Sequence, residues 1–157
     1  MGKLRTFLWF NGDAEAAVAH YQTIFPDLVI AETLRYGPGM MMPEGSVLTI
    51  NFTLFGQAFV AMNSPKDHAF TPSVSILVEC ETQAEIDHYW DGLLDGGTSM
   101  ACGWLTDKFG VTWQITPRLL LDWIHDPDAD RQQRVFSAMV NMIKLDLPAL
   151  QRAYDGS

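Results

Sequence analysis

Apolar and aromatic residues run almost unbroken over positions 4–10, a pattern that predicts a buried strand. Asn11-Gly12-Asp13 interrupts the run, and Asp13 is placed to cap a following helix. Over 14–25, Ala17, Val18, Tyr21, Ile24 and Phe25 recur at helical spacing until Pro26-Asp27 ends the pattern. Positions 28–36 predict a second strand, and 37–45 a Gly/Pro loop carrying Met40-Met41-Met42. The clearest alternation lies over 46–55, with Leu48, Ile50, Phe52 and Leu54 on one side and Thr49, Asn51 and Thr53 on the other. Gly56 turns the chain into a further strand over 57–63. The predicted order is β-α-β-β-β.

That order then repeats. Positions 73–80 predict a strand, and Thr82 caps a helix to about Leu94, with Glu85 at the capping-box position. Gly96-Gly97 breaks the helix, and strands around 99–106 and 111–116 close the half. Sliding the first helix by 68 positions lays Val18 on Ile86, His20 on His88 and Tyr21 on Tyr89. Two tandem modules follow, about 1–65 and about 71–117, with a helical extension over about 118–155. In the extension, Leu119, Leu120, Trp123 and Ile124 form one apolar stripe and Val135, Met139, Met142 and Ile143 another. Pro148 opens a short last helix, and these helices are expected to cover a sheet surface or an interface. No linker is long enough to make them a separate domain.

Composition narrows the function. With 48% hydrophobic and 18% charged residues in 157 positions, the chain reads as one globular domain with a sizeable core. A net charge of −9 without a basic stripe argues against nucleic acid as a partner. No apolar run reaches the length of a membrane span, and the amino terminus carries no signal-peptide pattern. Two cysteines, Cys80 and Cys102, are too few for a disulfide framework and fit reduced thiols in the cytoplasm.

Candidate chemistry concentrates at 102–115, where Cys102, Trp104, Asp107-Lys108, Trp113 and Gln114 surround a Phe109-Gly110 turn. Thr112, Gln114 and Thr116 alternate with Trp113 and Ile115, so one face is polar. Such a face either meets water or lines a pocket. Trp113 is expected in the core, and Trp104 is open between core and ring stacking. Cys102 reads as structural, with a nucleophile as the alternative. Asp107 and Lys108 read as a solvated pair, and Glu85, Asp87 and Asp91 as a solvated helix face; His20 and His88 are expected at helix–sheet seams. No glycine-rich strand–turn–helix exists to hold S-adenosylmethionine.

The segments 10–17, 82–90 and 102–115, extended by Ala138-Met139 and Lys144-Leu145-Asp146, resemble the vicinal-oxygen-chelate superfamily. That is the glyoxalase, bleomycin-resistance and extradiol-dioxygenase group, and within it the chain is similar to the PhnB-like branch labelled 3-demethylubiquinone 3-methyltransferase-like. The resemblance implies an α+β fold of two tandem βαβββ modules forming a cupped mixed sheet, with C-terminal helices, and a homodimer. It places the superfamily's metal-ligand positions near Thr6, Asn63, Ser73 and Gln114, with the register at Thr6 or Arg5 open by one residue. Thr6, Ser73 and Asn63 are poor ligands for a transition metal, so no cofactor is expected, with a divalent metal as the alternative. Thr49, Asn51, Thr53, Asn63, Ser73, Ser75, Thr112 and Gln114 would face the cup, and Phe7, Trp9, Ile50, Phe52, Trp113 and Ile115 the helices. The pocket candidates are therefore Gln114, Thr49, Asn51, Thr53, Asn63, Ser75, Trp104 and Cys102. The expected function is binding of a small organic molecule, quinone-like or aromatic, with catalysis left open. The alternatives are a metal-dependent lyase, isomerase or dioxygenase, a methyltransferase-like enzyme as the label suggests, and a pure interaction protein.

Overall fold

A computed structural model describes residues 3–157, so the first two positions of the predicted first module, about 1–65, lie outside the described residues. The chain forms two compact units, one reaching to Ala69 and the other Phe70–Ser157. The first contains β1 (Thr6–Phe10), α1 (Ala14–Ile24), β2 (Val29–Arg35), β3 (Val47–Leu54) and β4 (Gln57–Asn63). The second contains β5 (Ile76–Cys80), α2 (Gln83–Leu94), β6 (Thr98–Ser99), β7 (Trp104–Thr106) and β8 (Thr112–Pro117). Three further helices follow: α3 (Arg118–Trp123), α4 (Ala129–Met139) and α5 (Leu147–Asp155). The sheets have matching strand orders, β1-β4-β3-β2 and β5-β8-β7-β6. In each, the first strand runs parallel to the fourth and the remaining pairs are antiparallel. The repeat predicted from element order is thus a repeat of topology.

In the first sheet the register aligns Leu8 with Ala61 and Phe10 with Asn63, and β3 aligns Ile50 with Ala61 and Phe52 with Phe59. These residues are buried, and they share the side on which α1 buries Ala17, Val18, Tyr21 and Ile24. The expectation that Phe7 and Trp9 face the helix is corrected. Phe7 is 54% exposed, and both point to the opposite face because strand side chains alternate. Asp13 occupies the N-cap position of α1, but its side chain makes no capping bond. The cap comes from the far end of the sheet: Asn63 Oδ1 accepts the Ala14 N–H at 2.9 Å. Edge strand β2 is exposed along its whole length.

In the second sheet, Trp113, Ile115, Leu105 and Val78 are buried on the face covered by Ile86, Trp90 and Leu93 of α2. Thr82 caps α2 as expected, accepting the Glu85 N–H at 3.2 Å, while Glu85 reaches back to the Glu81 N–H at 2.6 Å. The β7–β8 turn overturns the reading of Asp107 and Lys108 as a solvated pair. Asp107 is 3% exposed, and Lys108 pairs instead with Asp95. The Asp107 carboxylate accepts the N–H groups of Phe109 (2.9 Å) and Val111 (3.0 Å) and the Trp113 indole N–H (2.9 Å). One side chain therefore satisfies three donors that burial would otherwise leave unpaired.

The C-terminal helices build a small core of their own from Leu120, Trp123, Val135, Leu145 and Leu150. Tyr154 stacks on Trp123 at 5.1 Å and donates its hydroxyl proton to Asp126 at 2.6 Å. Asp87 and Asp91, expected as plain solvated charges, both bind Lys144, at 2.6 and 3.3 Å. Burial pulls the Lys144 ammonium down, but its bonds to these carboxylates outweigh that and leave it above its ordinary pKa. Bonds from Lys144 and then Gln83 hold the Asp87 carboxyl below the usual range. His88 is exposed on α2 and not at a seam; its ring lies 5.1 Å from Tyr89.

Candidate functional site

Each sheet presents a face turned away from its module helix, and the strand register fixes which side chains stand there. In the second sheet, Gln114 lies between Trp104 of β7 and Leu77 of β5, its ladder partners on either side. Neighbouring strands are about 4.8 Å apart, so these three side chains form one contiguous row. Trp104 and Gln114 are half-buried and Leu77 is 39% exposed. Gln114 Nε2 donates to Ser75 Oγ at 2.8 Å. That bond orients the amide and leaves Oε1 as the outward acceptor. Thr112, two positions before Gln114 on the same strand face, keeps a buried hydroxyl with no hydrogen-bond partner. Of the pocket candidates, the second sheet therefore gathers Gln114, Ser75 and Trp104.

In the first sheet, one cross-strand row runs Trp9, Met62, Thr49, Leu34, and the next runs Phe7, Val60, Asn51, Glu32. Thr49, Asn51 and Thr53 are half-buried on this face, as their alternation requires. Asn51 Nδ2 donates to Glu32 Oε2 at 3.3 Å. His68 sets its ring edge-on to Trp9 at 4.7 Å, and the buried Trp9 indole N–H has no hydrogen-bond partner. Phe7, Trp9 and His68 are the residues that sequence reasoning missed. Four consecutive bulky apolar side chains, Phe7 to Phe10, contain no alternation from which to read a face. The polar Thr6 points the wrong way, since it shares the helix side with Leu8 and Phe10.

Asn63 and Cys102 play other parts. Asn63 is 3% exposed on the helix side, where Oδ1 takes the Ala14 N–H and Nδ2 donates to Val47 O at 3.1 Å. Its own carbonyl accepts the Tyr36 hydroxyl at 2.7 Å. All of these polar groups serve the fold. Cys102 is half-buried in the β6–β7 turn at φ 62°, and its N–H donates to Met142 O at 2.8 Å. Cys80 is buried, and desolvation, aided by the Glu85 charge, pushes its thiol up to about 12. Both cysteines are free thiols.

Two sheets of matching order, each a parallel first–fourth pair extended by a meander, define the glyoxalase/bleomycin-resistance fold class. The model of a family described as 3-demethylubiquinone-9 3-methyltransferase matches residues 2–116, and the chain belongs to that family, a PhnB-like branch of the vicinal-oxygen-chelate superfamily. The chain is 38% identical to a PhnB protein from Bacillus cereus, whose description gives the same methyltransferase term as provisional. That similarity covers 74% of this chain and 99% of the Bacillus protein, with a TM-score of 0.68. Protein PA1353 from Pseudomonas aeruginosa shares the fold at 18% identity over 74% of this chain and 98% of its own, with a TM-score of 0.64. So does the fosfomycin resistance protein FosX from Listeria monocytogenes, solved with Mn(II) and sulfate, at 16% identity over 71% and 88% with a TM-score of 0.53. No curated protein matches the chain.

The positions at which the resemblance expects metal ligands hold residues with other duties. Thr6 and Asn63 stand on the helix side of the first sheet, where Thr6 Oγ1 accepts a bond from Gln57 at 3.4 Å and Asn63 is fully engaged. Ser73 is exposed and pairs with Thr71. Gln114 alone offers an oxygen to an open face. Among the described residues no three His, Cys, Asp or Glu side chains gather to hold an ion. This donor set does not suit a transition metal, whose catalytic sites take three protein ligands drawn from His, carboxylate and thiolate.

Proposed function

We propose that this protein binds a small planar organic molecule through a hydrogen-bond donor on the ligand's edge, with Gln114 as the acceptor. The observation that carries the reading is the Gln114–Ser75 bond, which fixes the amide with its oxygen outward between Trp104 and Leu77. Trp104 supplies a ring face for stacking and Leu77 an apolar wall, the usual mix of a ligand site. The acceptor selects a ligand with an O–H or N–H group, and the uncharged row disfavours a phosphate or phosphonate. A hydroxylated quinone or hydroquinone meets these requirements and agrees with the family's description. The first sheet offers a second aromatic surface in Phe7 and Trp9. On this reading the chain acts as a binder.

The test is calorimetric titration with a short-chain hydroxyquinone and its O-methylated analogue. Gln114→Ala is expected to weaken the hydroxyquinone about 3–10-fold, the value of one neutral hydrogen bond, and the methylated analogue should bind the wild-type chain about as weakly. Equal affinity for both compounds would refute the assignment. A homodimer belongs to the same proposal, supported by the exposed edge strand β2 with Val29, Ile30 and Leu34, and sedimentation velocity reads it directly. Cytoplasmic residence is proposed on the two free thiols. Among the described residues no helix is long and apolar enough to cross a membrane.

A further inference from the structure

The family match ends at residue 116, before the C-terminal helices begin. Those helices nevertheless bind the second sheet at one specific place. The turn between β6 and β7 sends two consecutive N–H groups out of the sheet: Cys102 to Met142 O and Gly103 to Ile143 O, each at 2.8 Å. Both turn residues are left-handed, at φ 62° and 79°. Cys102 adopts a backbone conformation that L residues avoid, and such conformations persist where surrounding contacts enforce them. Gly103 is required twice, because a Cβ there would lie 2.7 Å from Ile115 O and 2.9 Å from the Leu145 side chain.

The segment that takes these bonds is fastened on its other side to α2. Lys144 binds Asp87 and Asp91, while Gln83 donates to Leu145 O at 3.3 Å and accepts the Leu147 N–H at 2.7 Å. Leu145 itself is 1% exposed. Trp104 follows Gly103 directly, and the Gly103 carbonyl accepts the Ile115 N–H at 2.8 Å, adjoining Gln114. The turn therefore sets the start of the strand that carries Trp104 to Gln114.

We propose that the C-terminal helices are a positioning element for the Trp104–Gln114 face, with Lys144 and Leu145 as the positioning residues that hold the Cys102–Gly103 turn. The inference rests on the reading of that face as a ligand site, and it predicts that ligand affinity responds to substitutions in a segment outside the family match.

The experiment uses the full chain with Lys144→Gln, Lys144→Arg and Leu145→Ala. It measures amide exchange at Cys102 and Gly103, the NMR signals of the Trp104 indole and Gln114 side-chain amide, and hydroxyquinone affinity. Lys144→Gln is expected to raise exchange at both amides about 3–5-fold and to move both side-chain signals, with Lys144→Arg restoring wild-type behaviour. Leu145→Ala should raise exchange at least about 30-fold, in line with the loss of a buried leucine. Unchanged exchange and signals in Lys144→Gln, with only a lower melting temperature, would overturn the proposal. Lys144→Gln decides the matter by itself, even where Leu145→Ala fails to fold. If the wild-type chain binds no hydroxyquinone while exchange responds as expected, the ligand reading fails and the hold on the turn stands.

Discussion

Replacing Asp107 tests the reasoning about buried polar groups most directly. Its carboxylate takes three donors in the β7–β8 turn, and two of them belong to the buried residues Val111 and Trp113. A hydrogen bond to a charged group is worth roughly 1.5–3 kcal/mol, and a donor left unpaired in the interior loses about 1–3 kcal/mol. Taking about 2 kcal/mol for the indole and about 1 for each backbone N–H gives a loss of about 4 kcal/mol for Asp107→Ala. At about 2–4 °C per kcal/mol for a chain of this size, the melting temperature should fall by about 8–16 °C. Asp107→Asn separates the contributions. Its oxygen can keep both backbone donors, but its amide N–H₂ then faces the indole N–H, so about 2 kcal/mol is lost. In a Trp113→Phe background that loss should largely disappear, because the opposing donor is gone. Urea unfolding followed by tryptophan fluorescence is the assay, since Trp90, Trp104, Trp113 and Trp123 all lie in the second unit. An Asp107→Ala loss below about 1 kcal/mol, or equal losses for Asn and Ala, would refute the assignment of the carboxylate as the turn's organiser.

Further outcomes are expected at Asn63 and at the two cysteines. Asn63→Ala removes the cap of α1 and the bond to Val47 O, and should destabilise the first unit by about 2–3 kcal/mol in urea unfolding. Asn63→Asp keeps the acceptor for Ala14 but sets a carboxylate against the Val47 carbonyl, so it should recover only part of that loss. Cys80, with its thiol pushed up to about 12 in the folded chain from an ordinary 9.0, holds its proton more tightly when folded. Stability from this group is therefore complete below pH 9 and drains away as pH rises toward 12. Thermal unfolding of Cys80→Ala over that range should show a shallower decline than the wild type. Thiol titration at neutral pH should label Cys102 well before Cys80.

The element order was legible because turns and capping residues punctuate it: Asn11-Gly12-Asp13, Gly56, Thr82 with Glu85, and Gly96-Gly97 all mark boundaries that the structure keeps. Alternation placed Thr49, Asn51, Thr53 and Gln114 on the faces where they stand. It failed at β1, where Phe7, Leu8, Trp9 and Phe10 are all bulky and apolar, so nothing distinguished the two sides. Asn63 was misread because a polar residue at a strand end looks the same whether it faces a pocket or caps a helix, and its helix partner lies 49 residues away. Asp107 had a local signal: Asp-Lys-Phe-Gly is a turn sequence with Asp first and Gly fourth, and the Gly110 N–H does donate to Asp107 O at 3.0 Å. The link of Lys144 to Asp87 and Asp91 left no such trace, since surface charges pair across the fold in many ways.

The cap on α1 bears on how the first unit comes together. A helix of 11 residues is marginal in isolation, and this one receives its terminal bond from the last residue of the last strand. Helix and sheet are accordingly one cooperative event, in which α1 is completed only when β4 has reached its place beside β1. A fragment that stops short of residue 63 has the sequence of the helix without the means to start it. The same bond makes the amino end of α1 a sensor of sheet closure. Amide protection at Ala14 should appear in step with the parallel β1–β4 pair, and not with the hairpins that precede it.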